Sequence, residues 1–193
     1  MDGWITHGPS CVLILQAYLL VAKQLLLCCY NEEQSPTQEV NPVAHFICTT
    51  CGTQYPESQQ PPSGCSICEE PRQFVKATGQ QWTTLERLRL TNRNSIKFKE
   101  PGLIAVGIDP HFAIGQRALL LRSPGGNILW DCLPLLDQAV VDCFQALGGI
   151  SAIAISHPHY YSSMVEWSRA FGGVPIYLHA DDHQWVMRLG NST

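Results

Sequence analysis

Charge is scarce in this chain. Only 15% of its residues are charged, and Asp and Glu outnumber Lys and Arg, for a formal net charge of −4. That balance gives little electrostatic reason to seek phosphate backbones, so no nucleic acid is expected as a partner. The one locally basic stretch holds Arg87, Arg89, Arg93, Lys97 and Lys99, scattered among apolar and polar residues, and reads as a solvated face. No internal repeat is evident, which sets aside a repeat array. No Lys or Arg precedes the first apolar run and no clear small-x-small cleavage site follows it, so a secretory signal fits poorly. Low charge here does not mean disorder. Hydrophobic residues make up 45% of 193, enough for one ordinary domain with a buried core and a small appendage.

The apolar run Cys11–Cys29 has roughly the length of a membrane span, but Gln16, Lys23 and Gln24 interrupt it. A lysine at mid-membrane costs about 2.5–3.5 kcal/mol on insertion scales. Residues 1–30 are therefore expected to form an apolar leader helix, buried or loosely attached. A membrane anchor and a misassigned start of the reading frame are the alternatives. Residues 31–43, polar and carrying two prolines, read as a linker.

Cysteine is the residue in excess. Of nine, Cys48, Cys51, Cys65 and Cys68 form C-x2-C-x13-C-x2-C. Each C-x-x-C turn aims two sulfurs at one point, and four thiolates about 2.3 Å from a zinc ion close a tetrahedron with no open position. Such a site does architecture rather than chemistry. Its binding free energy, about 10–16 kcal/mol in finger peptides, is what folds so small and loop-rich a unit. A zinc ribbon is expected over residues 44–76, although an iron site would use the same ligands. Four thiols leave His45 a bystander. Reduced thiolates favour the cytoplasm, and Cys11, Cys28, Cys29, Cys132 and Cys143, in apolar surroundings, read as inert buried thiols. The ribbon's flanks balance Glu57, Glu69 and Glu70 against Arg72 and Lys76, which suits a protein contact, or docking onto the chain's own second part, better than a phosphate face.

From residue 80 onward the pattern alternates. A short helix is expected around Trp82, Leu85 and Leu88. Strands follow at 103–108, 118–122 and 127–132, the last two joined by Ser-Pro-Gly-Gly. A helix from Leu135 to Leu147 stops at Gly148-Gly149, and a buried strand spans Ile150–Ser156. Then come a helix at 162–171, a strand at 175–179 and a helix at 180–189. This is layered α/β packing.

Ser156-His157-Pro158-His159-Tyr160-Tyr161-Ser162 leaves the buried strand, where α/β folds place their chemistry. Two histidines at i and i+2 on an extended segment can grip one metal ion, and neutral imidazole suits zinc, iron or copper. A turn with two exposed histidines is the plainer alternative. His179, Asp181, Asp182 and His183 crowd the start of the last helix, where the aspartates suit caps better than ligands. His111 is a weak candidate for lining a cleft.

The order of these parts, with ALLLRSPGGNILWDC, ISAIAIS, His-x-His and PIYLH in sequence, resembles the amino-terminal half of the metallo-β-lactamase superfamily. The resemblance covers residues 80–193 and implies a partial αββα sandwich preceded by the ribbon. It implies that His157 and His159 hold an active-site zinc, with Asp131 orienting from behind. The family signature H-x-H-x-D-H is broken here, since Tyr161 stands where the Asp belongs and Ser162 where the last His belongs. In the family a carboxyl-terminal half adds a further His, a bridging Asp and a last His. That half would begin about where this chain ends, so a truncated domain with one uncovered sheet face is expected. The activity implied is metal-dependent hydrolysis, in which the metal lowers the pKa of bound water to about 7. Tyr160 or Tyr161 could donate to a developing oxyanion. The rival expectation is a non-catalytic interaction module: the ribbon on a degenerate hydrolase scaffold. Fold membership does not choose a substrate.

Overall fold

The computed structural model describes residues 43–69 and 79–190, with Val75 and Ala77. The expected leader at 1–30 and the linker up to residue 42 lie outside them. Among the described residues no helix is long and apolar enough to cross a membrane.

Two sheets and few helices make up the described chain, a mixed α/β arrangement. The small sheet has the order β2-β1-β3, with β1 at Ala44–Cys48, β2 at Gln54–Ser58 and β3 at Trp82–Thr83, all antiparallel. The third strand lies past residue 76, where the ribbon was expected to end, in a segment expected to open a helix. Trp82 is held there by edge-on packing on Tyr55, ring centroids 5.1 Å apart, and by pairing with Cys48. Helix α1 therefore starts later, at Leu85–Thr91, where the Thr84 hydroxyl accepts from Arg87 N and caps it. Leu85 and Leu88 pack with Ile47 and Leu135.

The large sheet runs β4-β5-β6-β7-β8-β9 in chain order. Its strands are β4 (Arg93–Glu100), β5 (Leu103–Asp109), β6 (Ala118–Leu121), β7 (Ile128–Trp130), β8 (Ala152–Ala154) and β9 (Ile176–Tyr177). The first four are antiparallel, and β8 and β9 join in parallel through crossover helices α2 (Gln138–Ala146) and α3 (Met164–Ala170). Strand β4 occupies the stretch expected to be only a solvated basic face. Its alternation puts Ile96 toward the core and Ser95, Lys97 and Lys99 on the opposite side.

Burial is one-sided. Ile104, Val106, Leu120, Leu129 and Ile153 from the sheet meet Val140 and Phe144 of α2 and Val165 and Trp167 of α3, all nearly or fully buried. On the other face Leu121, Ile128, Trp130 and Tyr177 are 40–61% exposed. Helix α2 is pinned at its start by Asp137, which accepts from Val140 N and Asn94 N while Asn94 Oδ1 accepts from Asp137 N. At its end Gly149 N donates to Phe144 O, and Asn127 Nδ2 bonds the carbonyls of Leu147 and Gly149.

The last expected helix forms only as a six-residue 3-10 segment, Ala180–Trp185. Its cap is the His179 side chain, which accepts from Asp181 N, rather than either aspartate. Beyond it the chain extends, and Arg188 becomes buried against Glu166 and Gln54.

Candidate metal centre

Cys48 ends β1 and Cys51 sits in the turn that follows, closed by Gly52 N donating to Cys48 O at 2.8 Å. A second turn of the same kind brings Cys65 and Cys68 together, with Cys68 N and Glu69 N both donating to Cys65 O. The Sγ atoms of Cys48 and Cys68 are 3.6 Å apart and those of Cys51 and Cys65 3.5 Å. All four lie within 4.8 Å of one another, and none of the residues is more than 6% exposed. A tetrahedron with zinc–sulfur bonds of about 2.3 Å has edges of about 3.8 Å, so a metal fits with little adjustment. No disulfide joins the four.

The surroundings favour sulfur in its charged form. Cys48 Sγ accepts from Thr50 N at 3.3 Å, Cys51 N at 3.4 Å and Gln80 Nε2 at 2.9 Å. Hydrogen bonds from the Cys51, Cys65 and Cys68 thiols hold the Cys48 thiol far below its ordinary pKa. The same contacts, those with Cys48 first, push Cys51 and Cys68 far up. For Cys65 the contact with Cys48 raises the pKa, but those with Cys51 and Cys68 outweigh it and bring it down to about 7, so charge is shared unevenly among the sulfurs and full ionisation needs a cation. The cluster could hold a metal ion in the manner of a zinc ribbon. His45 takes no part, its Nδ1 lying 3.1 Å from Tyr55 O.

His157 and His159 are also brought together. His157 leaves β8 in extended conformation and caps the 3-10 turn Pro158–Tyr160 by accepting His159 N on Nδ1 at 3.2 Å. The two rings stack, 16° from parallel, with their Nδ1 atoms 3.1 Å apart. Burial, then the nearby His157, lowers the His159 pKa and so favours the neutral ring. Asp131, just past β7, has φ +65 and is buried. Its carboxylate accepts from Ser156 N and Ser156 Oγ, the residue before His157. Tyr161 turns inward and joins the core at 3% exposure; burial, then Asp182, pushes its pKa up to about 12. Ser162 is buried as well. Tyr160 is partly buried against the same core. Asp181, His179 and His183 are exposed. Among the described residues, the four cysteines are the one group in which three or more His, Cys, Asp or Glu ligand atoms converge.

Residues with no obvious motif tie the ribbon to the histidine segment. Gln116 Nε2 donates both to Cys51 O at 2.5 Å and to His159 O at 3.0 Å. Gln54 N donates to Ser162 O at 3.2 Å. Gly52, at φ +81, lies so close to Pro134 that a Cβ there would overlap the proline ring. Arg188 Nη1 bonds Gln54 of the ribbon and, at 2.6 Å, Glu166 of α3. Gln54, Gln80, Gln116 and Arg188 carry no spacing signal, because their partners come from distant parts of the chain.

No family model matches this chain. It is 49% identical over 149 residues to the uncharacterized protein YmaE of Bacillus subtilis (strain 168), a match that takes in 76% of this chain and 54% of that protein. The chain spans about half the length of the curated relative it matches.

Proposed function

We propose that this chain is a zinc-binding protein on a metallo-β-lactamase-like scaffold, a divergent or partial member of a metal-dependent hydrolase group. Zinc held by Cys48, Cys51, Cys65 and Cys68 is structural and organises the ribbon. His157 and His159 are half of a second site, whose remaining ligands come from outside the described residues. The observation that carries this reading is the pair of stacked imidazoles, Nδ1 to Nδ1 at 3.1 Å, just past the end of β8. A zinc ion bound there would supply Lewis acidity and a water ionisable near neutral pH. Asp131 acts through Ser156, holding the strand end from which His157 departs. The compartment that suits this thiolate chemistry is the cytoplasm.

The apolar side chains that stay exposed on this face among the described residues support the scaffold reading, since the other half of an αββα sandwich would cover Leu121, Ile128, Trp130 and Tyr177. Metal counting on purified protein tests the second site. A labile equivalent beyond the first, lost in His157→Ala, is expected; a single equivalent unaffected by that change counts against it.

A second reading, a non-catalytic module with the ribbon as its contact surface, is favoured by one observation. Tyr161 and Ser162, at the broken signature positions, are buried rather than offered to a metal. Under that reading the count stays at one zinc per chain.

A further inference from the structure

The face of β4 and β5 opposite the helices carries a groove of about 360 Å³. Its floor is made by small residues, Ala105 and Gly107, which pair with Lys97 and Ser95 of β4. A Cβ on Gly107 would come within 3.1 Å of Ser95 Oγ, so the trough exists because that position has no side chain. Lys97, Lys99, Arg117 and His111 line the groove, and among the described residues no Asp or Glu does. In a chain of net charge −4, three cations and an imidazole around one concavity are a strong local departure. Among the described residues, none of these four side chains takes part in an ion pair.

Two further features make this a shaped site rather than scattered surface charge. Gly115, at φ +72, sits so close to the His111 ring that a Cβ would meet Nε2 at 2.5 Å, so the loop folds its histidine back on itself at the groove. Gln116, also in the wall and only 4% exposed, has its amide nitrogen committed to Cys51 O and His159 O, while its buried Oε1 has no partner.

We propose that this groove recognises the phosphate group of a small molecule. Phosphate offers a dianion that several cations can share through charge-assisted hydrogen bonds, and the volume suits a small ligand rather than a polymer. The site is independent of whether a metal binds at His157 and His159.

The test is a titration of the zinc-loaded full chain with inorganic phosphate, followed by NMR or calorimetry. Saturable binding is expected, weakened about tenfold by Lys97→Gln and again by Arg117→Gln, each a loss of one charge-assisted contact. Arg87→Gln, which removes a charge outside the groove, should leave the affinity unchanged. Absence of saturation overturns the proposal. So does an equal loss in Arg87→Gln, which would mean diffuse attraction, or a loss confined to His157→Ala, which would place the anion at the histidines.

Discussion

Asp131 and Ser156 hold each other by three hydrogen bonds: Oδ1 accepts from Ser156 N at 2.8 Å and from Oγ at 2.9 Å, and Oδ2 accepts from Oγ at 3.1 Å. They join the ends of β7 and β8, since Asp131 N also donates to Ala154 O. The next residue is His157, so the direction in which the histidine segment leaves the sheet depends on this contact.

Asp131→Ala removes the acceptor of the Ser156 N–H and hydroxyl and places alanine at a positive φ. A loss of about 2–4 kcal/mol of stability is expected, from an unsatisfied donor and a strained residue together. Asp131→Asn should cost less, because asparagine keeps an acceptor oxygen and tolerates the left-handed region. Urea unfolding of the two variants side by side checks the order. Equal losses would mean that the charge, and not the acceptor, matters.

Gly52 lies where the ribbon meets the α/β part. Gly52→Ala forces a methyl group into the ring of Pro134 and strains the φ of +81. A destabilisation of about 1–3 kcal/mol is expected. Because Gly52 also closes the first cysteine turn, zinc should be lost at lower chelator concentration than from the parent chain. Metal release against a chromogenic chelator measures this; unaltered release would place the strain elsewhere.

Arg188 is 7% exposed and reaches both Gln54 and Glu166. Arg188→Ala strands the Gln54 acceptor and leaves Glu166 with the more distant Arg169, at 3.9 Å, as its remaining ion-pair partner. Glu166 is partly open to water, so the cost should be moderate, about 1–3 kcal/mol. Arg188→Lys should recover little of it, since a point charge cannot reproduce the guanidinium's two-sided reach. Thermal unfolding of both variants is the measurement, and full recovery by lysine would contradict the geometry.

Much of the large sheet is legible in the sequence because local signals agree there. Ser-Pro-Gly-Gly separates β6 from β7, the Leu135–Leu147 periodicity becomes α2 ahead of Gly148-Gly149, and the apolar run at 150–156 contains β8. The cysteine cluster is legible for the same reason, each C-x-x-C being a local turn. Strand β4 is harder to see because lysines occupy one of its faces, and charge masks the alternation of Ile96 and Phe98. Trp82 looks helical from its spacing to Leu85, yet packing on Tyr55 makes it a strand. The last helix shortens because Arg188 is drawn to partners more than twenty residues away in sequence, which no local pattern encodes. Gln116 escapes notice on the same ground: its two acceptors, Cys51 O and His159 O, meet only after folding.

Metal content bears most directly on the role of the four sulfurs. Protein purified under reducing conditions and analysed by atomic emission should hold one tightly bound zinc per chain. Cys48→Ser combined with Cys68→Ser should abolish it and unfold the ribbon with it. A chain that is folded, metal-free and disulfide-linked through these cysteines would contradict the assignment outright.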